Sequence, residues 1–146
     1  MKLRSLKFKS VKSTNDIAHK LIKKKNVRPT IILSEEQSKG RGTMGKKWIS
    51  KKGNLFLTIF FDMSKKKVDF KKFSVLNAHL LKSILIKKFS NKIKIKWPND
   101  LLFKGKKICG ILQETLINAE KEFLIVGIGI NTNVKPKSSS FLSTSL

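Results

Sequence analysis

Gly40-Arg41-Gly42-Thr43-Met44-Gly45-Lys46-Lys47-Trp48 lies between two apolar, β-prone runs, Thr30 to Leu33 and Leu55 to Phe61. The stretch combines three glycines, three cations and one aromatic. Glycine takes positive φ without penalty and lets backbone N–H groups approach a ligand. Successive N–H groups in such a turn form a concave anion site, and Arg and Lys add charge-assisted hydrogen bonds. The chemistry this suits is a bound phosphate or carboxylate. Taken alone, the same residues also fit a mobile basic surface loop, because glycine-rich motifs recur without function.

On either side of this loop the pattern predicts a sheet. Leu55 to Phe61 is apolar throughout and reads as a central strand, opened by the turn signal Gly53-Asn54. Lys2 to Lys9 sets Leu3, Leu6 and Phe8 among basic residues, a half-exposed strand. Ser13-Thr14-Asn15-Asp16 then predicts a helix start, with Ser or Thr as N-cap and Asp16 in the first turn. Ile17, Ala18, Leu21 and Ile22 give that helix an apolar face, which ends near Lys25 before a turn at Asn26 to Pro29. Lys65 to Lys67 is a solvated charge run. From Asp69 to about Ser90 a second helix is predicted, with Phe73, Leu76, Leu80 and Ile84 in one line and Leu81, Leu85 and Phe89 beside it.

Ile93 to Trp97 reads as a strand stopped by Pro98. Leu101 to Phe103 and Lys107 to Leu116 form a hairpin around Lys104-Gly105-Lys106. Phe123 to Ile130 is a last strand containing Gly127 and Gly129, and glycine inside a strand often marks a close approach by ligand or backbone. The expected fold is α+β, one mixed β-sheet flanked by two main helices. Residues 1–134 form the expected domain, and the Ser-rich residues 135–146, which lack periodicity, form a tail.

Composition narrows the function classes. A length of 146 residues, 40% of them hydrophobic, suits one domain with one core. No apolar run approaches the roughly 20 residues that span a bilayer, and no apolar segment follows the basic N-terminus to make a secretory signal. One cysteine, Cys109, excludes an internal disulfide, so a reducing, cytoplasmic setting is expected, with no membrane partner. The net charge of +24 would attract polyanions. Its source is almost all lysine, spread along the chain, with arginine only at Arg4, Arg28 and Arg41. A coding bias toward AT-rich codons accounts for that pattern better than nucleic-acid binding, and it makes Arg41 stand out. His19 and His79 fall in predicted helices, and Cys109 reads as a small buried hydrophobe.

A second constellation follows the loop. Lys96-Trp97-Pro98-Asn99-Asp100 ends a strand; Lys106 to Glu114 contains Lys107 and Gly110-Ile111-Leu112; Gly127-Ile128-Gly129-Ile130-Asn131 closes the series. In isolation Asp100 reads as a turn cap and Lys107 as one more surface lysine. In this order and spacing, together with Gly40 to Trp48 and the early Ser13-Thr14-Asn15, the segments resemble the catalytic domain of biotin–protein ligases, from about residue 10 to about residue 133.

The resemblance implies the biotin/lipoate protein ligase fold, related to class II aminoacyl-tRNA synthetases. It also implies a two-step reaction with biotin, ATP and Mg²⁺: formation of biotinyl-5′-adenylate, then transfer to a lysine of a biotin carboxyl carrier protein, a subunit of acetyl-CoA carboxylase. Cations and N–H donors would neutralise the two anions brought together, and a closing glycine loop would shield the adenylate from water. By the same resemblance, Ser13, Thr14, Asn15 and Gln37 would contact biotin. Gly40, Arg41, Gly42 and Thr43 would hold its carboxylate and then the adenylate phosphate. Lys107 would be catalytic, with Arg41, bridging carboxylate and α-phosphate, and Gly110 would give a backbone contact. Trp48 and Asn131 would line the adenylate side. Asp100 would hold Mg²⁺ or orient the attacking lysine.

Two departures stand out. The family's loop commonly carries a second arginine where this chain has Thr43, and cations where it has Met44. Family members also continue past the last glycine strand into a small β-barrel domain, which this chain is expected to lack. There is no room for a winged-helix domain at the start, so operator binding is not expected; a homodimer is compatible with the family. The competing enzyme reading is a lipoate or octanoyl transferase of the same fold, whose Arg-Arg…Gly-Gly-Gly…His pattern is missing. The competing binding reading is a basic nucleic-acid module, which needs aromatics set among the cations; the phenylalanines instead fall in apolar runs.

Overall fold

The computed structural model describes residues 3–25, 28–64, 69–136 and 142–146. In chain order the elements are β1 (Arg4–Val11), α1 (Thr14–Lys23), β2 (Thr30–Gln37), β3 (Leu55–Asp62), α2 (Phe70–Lys88), β4 (Ile93–Lys96), β5 (Asp100–Phe103), β6 (Lys106–Asn118) and β7 (Lys121–Ile130). The expected charge run at Lys65 to Lys67 lies outside the described residues, as do Asn26 and Val27 of the expected turn and residues 137–141 of the tail.

The seven strands make one mixed sheet in the order β1-β2-β3-β7-β6-β5-β4. β1 and β2 run parallel, joined across α1, and the remaining neighbours are antiparallel. The apolar run read as a central strand is β3, paired on both sides. The β5–β6 hairpin turns through Lys104 and Gly105, whose φ values of 49° and 76° are those of a two-residue turn that matches strand twist.

Side chains alternate across a strand, and this divides the core. Phe123 and Ile125 of β7 pack with Ala18 and Ile22 of α1. Their neighbours Leu124 and Val126 pack with Ala78 and Leu85 of α2. The two helices therefore cover opposite faces of the sheet, in keeping with the α+β expectation.

Packing decides which side of α2 faces the sheet. Of the two predicted lines, Leu81 and Leu85 turn inward with Ala78, whereas Leu76, Leu80 and Ile84 are 48%, 54% and 58% exposed. Apolar residues occupy more than one side of this helix, so periodicity alone does not choose its inner face. Ala78 does, because its small side chain lets the backbone come close to the sheet. Leu85→Ala is therefore expected to cost about 2–4 kcal/mol of stability through the cavity it leaves, and Leu80→Ala about 0.5 kcal/mol. Parallel denaturant titrations check this; equal losses at the two positions would mean that the helix face is misassigned.

Candidate functional site

The alternation that places α1 on one face also builds a trough beneath its first turn. On that face β6 presents Gly110, Leu112 and Glu114, opposite Gly129, Gly127 and Ile125 of β7. Thr58 of β3 pairs with Gly127 from the other side. The missing side chains are what make room. A Cβ on Gly127 would lie 2.3 Å from Asn15 Oδ1, and one on Gly129 would lie 2.3 Å from Trp48 Nε1. Asn15 settles into one end of the trough and the Trp48 indole into the other.

The space left is a narrow cleft, partly open to solvent. Ser13, Thr14, Asn15 and Gln37 line it from α1 and the end of β2; Arg41, Gly42, Thr43 and Trp48 line it from the glycine loop. Asp100, Lys107 and Gly110 line it from the two strands beyond. Arg41 and Lys107, 66 positions apart, thus reach one cavity. Two expected residues are not brought there. Gly40 faces an adjoining open hollow. Asn131 is fully buried beneath the chain end: its Nδ2 donates to the Thr144 carbonyl at 3.2 Å, and its own carbonyl accepts from Leu146 N at 3.0 Å.

Buried polar groups hold the α1 end rigid. Ser13 occupies the N-cap position as its sequence predicts, yet its side chain makes no cap bond and faces the cavity. Gln37 Oε1 accepts from the Thr14 N–H at 2.8 Å and lies 3.0 Å from the Thr14 hydroxyl. The Thr58 hydroxyl is 2.6 Å from Asn15 Oδ1 and 2.8 Å from Thr14 Oγ1. Asn15 Oδ1 can only accept, so the single Thr58 hydrogen points to it. The opposite end of that amide, Nδ2, donates to Glu114 Oε2 at 2.7 Å.

The glycine loop is a folded hairpin. The Gly42 N–H donates to the Lys46 carbonyl at 2.7 Å and the Trp48 N–H to the Gly40 carbonyl at 2.9 Å. Those two donors are used inside the loop. Gly40 has no room for a side chain, since a Cβ there would lie 2.3 Å from the Trp48 carbonyl oxygen. Arg41 leaves the hairpin to bind two carboxylates: Nη1 and Nη2 donate to Glu114 at 2.8 and 3.0 Å, and Nη2 is 3.0 Å from Asp16 Oδ1.

At the other end, Lys107 Nζ lies 2.7 Å from Asp100 Oδ2 and 5.3 Å above the Trp48 ring. The ammonium is thus held by a carboxylate and an aromatic face, aimed along the cavity wall rather than into solvent. Its main chain is fixed by the chain end: the Lys107 N–H donates to the Leu142 carbonyl, and the Lys107 carbonyl accepts from Thr144 N, both at 3.0 Å. Trp48 Nε1 is buried with no partner, a donor facing the cavity end. Cys109 is wholly buried, which pushes its thiol well above the usual range and leaves it a packing residue.

Burial would raise the Glu114 pKa, but the Arg41 and Asn15 hydrogen bonds, the Arg41 charge and His19 at 3.3 Å outweigh it and hold the carboxyl below its ordinary 4.5. Arg41, Asn15 and His19 are the groups that face it. A depressed folded-state pKa stabilises the fold above the ordinary value, and that contribution is lost as pH falls through the folded value. Protection of loop amides 40–48 against hydrogen exchange is therefore expected to persist at pH 5 and to be lost only below 4.5. Loss of protection already near neutral pH would contradict the assignment.

Among the described residues no group of three or more His, Cys, Asp or Glu side chains could hold a metal ion. No helix among them is long and apolar enough to cross a membrane. Three residues that build the site are given no role by the sequence reading: Asn99, which lines the cavity and donates to the Ile111 carbonyl at 2.9 Å, Thr58, and Glu114. A signal for Glu114 was present, since a strand that places Gly110 and Leu112 on the ligand face places Glu114 there too.

Comparison with known proteins places this geometry among relatives. The sequence pattern of the Biotin/lipoate A/B protein ligase family matches residues 7–131. The bifunctional ligase/repressor BirA of Bacillus subtilis is 33% identical over 128 residues, which are 85% of this chain and 39% of that protein. The chain thus spans about two fifths of that relative's length. Among solved structures, the biotin protein ligase from Aquifex aeolicus in complex with biotin and ATP aligns with a TM-score of 0.78 and 31% identity, over 97% of this chain and 59% of that one. The biotin protein ligase from Leishmania major in complex with biotinyl-5-AMP aligns with a TM-score of 0.79 and 27% identity, over 97% of this chain and 62% of that one.

Proposed function

The chain belongs to the biotin/lipoate A/B protein ligase family, and from that premise we propose that it carries the biotin-activating site of an ATP-dependent biotin–protein ligase. The observation that carries this reading is the single cavity lined by Ser13 to Asn15, Gln37, Arg41, Lys107 and Gly110. Small polar groups at one end suit a ureido ring, which both donates and accepts. The Lys107 ammonium at the other end suits a carboxylate meeting a phosphate. In the first step a biotin carboxylate oxygen attacks the α-phosphorus of ATP, and the bond to pyrophosphate breaks. In the second, an acceptor lysine amine attacks the acyl carbon of the mixed anhydride, AMP leaves and the amine loses a proton.

Lys107 stabilises the charge that builds on the transferring phosphoryl group, and Trp48 and Lys107 together exclude water from that end. Asp100 holds Lys107 in place. Among the described residues it is also the only carboxylate lining the cavity, and it pairs with Lys107. The residues thus do not amount to a resident metal site. Mg²⁺ fits as an ion that arrives bound to the ATP phosphates, its usual mode with nucleotides. The acceptor is a biotin carboxyl carrier domain.

Incubation with biotin, Mg-ATP and labelled pyrophosphate tests the first step. Biotin-dependent exchange of label into ATP is expected. Exchange that needs lipoate, or none with either acid, would overturn the reading.

A further inference from the structure

Glu114 is the point at which three separate parts of the site meet. Its carboxylate accepts from Asn15 Nδ2 at 2.7 Å, from Arg41 Nη1 and Nη2 at 2.8 and 3.0 Å, and lies 3.3 Å from His19 Nε2. Those partners are 99, 73 and 95 residues away in sequence. Three of these contacts converge on Oε2, and the fourth, from Arg41 Nη1, is to Oε1. Glu114 does not itself line the cavity, whereas Asn15 and Arg41 do.

We propose that Glu114 is a positioning residue that sets the cavity from behind, fixing which end of the Asn15 amide faces Thr58 and pinning the glycine loop to the sheet through Arg41. The chemistry forces both parts. A carboxylate accepts only, so Asn15 must turn its NH₂ toward Glu114 and its oxygen toward the Thr58 hydroxyl. An asparagine free to flip would present the wrong polarity to a ligand that both donates and accepts. A bidentate guanidinium–carboxylate pair also fixes orientation as well as distance. Arg41, whose charge faces Glu114 and Asp16, acts here on the loop, and Lys107 remains the cation at the reacting end. The ligand-binding half of this inference rests on the biotin reading; the loop half does not.

E114Q and E114A separate the two halves. Glutamine keeps one acceptor oxygen for Asn15 but sets an NH₂ against Arg41; alanine removes both. Limited trypsin digestion of the full chain without ligand, read at Arg41, Lys46 and Lys47, is expected to cut about tenfold faster in both variants. The Asn15 side-chain NH₂ signal in ¹⁵N NMR, assigned by its loss in Asn15→Ala, is expected to keep its position in E114Q and to shift in E114A. The biotin dissociation constant is expected to rise about tenfold in E114A, in line with one lost buried hydrogen bond, and about threefold or less in E114Q. E114Q is isosteric, so the loop half stays decidable even if E114A does not fold.

Cleavage of E114Q at the unaltered rate overturns the clamp. An unmoved Asn15 signal in E114A overturns the orienting role. Absence of biotin binding in the unaltered chain overturns the function proposed above and leaves the digestion and NMR readouts to decide the role of Glu114.

Discussion

Gly127→Ala is expected to abolish measurable biotin binding and to lower stability by about 2–4 kcal/mol, through overpacking combined with broken buried hydrogen bonds. The new methyl would sit 2.3 Å from Asn15 Oδ1 and 3.0 Å from its Cγ. Some glycine substitutions are absorbed by the swing of a flexible neighbour. This one is not, because Asn15 is 2% exposed, sits in the first turn of α1, and is held at both ends by Thr58 and Glu114. To clear the methyl, Asn15 must give up the Thr58 bond or the helix must lift from the sheet. Biotin titration by calorimetry and a denaturant titration measure the two effects. Unchanged affinity would mean that the Asn15 end of the cavity does not hold the ligand.

Lys107→Ala is expected to slow biotin-dependent pyrophosphate exchange by about 10²–10³-fold, the usual effect of removing one donor from a charge-stabilising site, with a smaller change in biotin affinity. Part of the loss would come from Asp100, which is left half-buried without its cation. The D100N/K107A pair separates that contribution from the loss of the ammonium itself. Lys107→Arg is not expected to rescue. A guanidinium can pair bidentately with Asp100 and lie flat on Trp48, which draws its charge away from the reacting end. Rates in K107A within tenfold of the unaltered chain would remove Lys107 from the chemistry.

The parts of this molecule legible in its sequence are those whose physics is local. Gly105 announces its turn, Asp69 caps α2 by accepting from the Lys71 N–H at 2.9 Å, and the apolar run at Leu55 is β3. Gly127 and Gly129 in an otherwise apolar strand signalled a close approach, and Asn15 and Trp48 are what approach. What stayed hidden depends on pairings between distant segments. The inner face of α2 is chosen by the fit of Ala78 and Leu85 against the sheet, which no period along the helix records. Thr58 looked like one residue of a core strand until its register set it beside Gly127 and Asn15. Glu114 is one of only 9 acidic residues facing 33 basic ones. Its place at the meeting of α1 and the loop follows from three-dimensional register alone. Residues from Lys135 onward carry no periodic pattern, and the main-chain bonds from 142–146 to Lys107 and Asn131 have no side-chain signature.

The chain contains no tyrosine and two tryptophans. Trp97 stands 74% exposed, whereas the Trp48 indole lies against Gly129 under the Lys107 ammonium. The molecule therefore carries its own optical gauge of occupancy. With Trp97 changed to Phe, ultraviolet emission comes from one indole, whose colour and brightness report, without any attached dye, each time a guest enters or leaves.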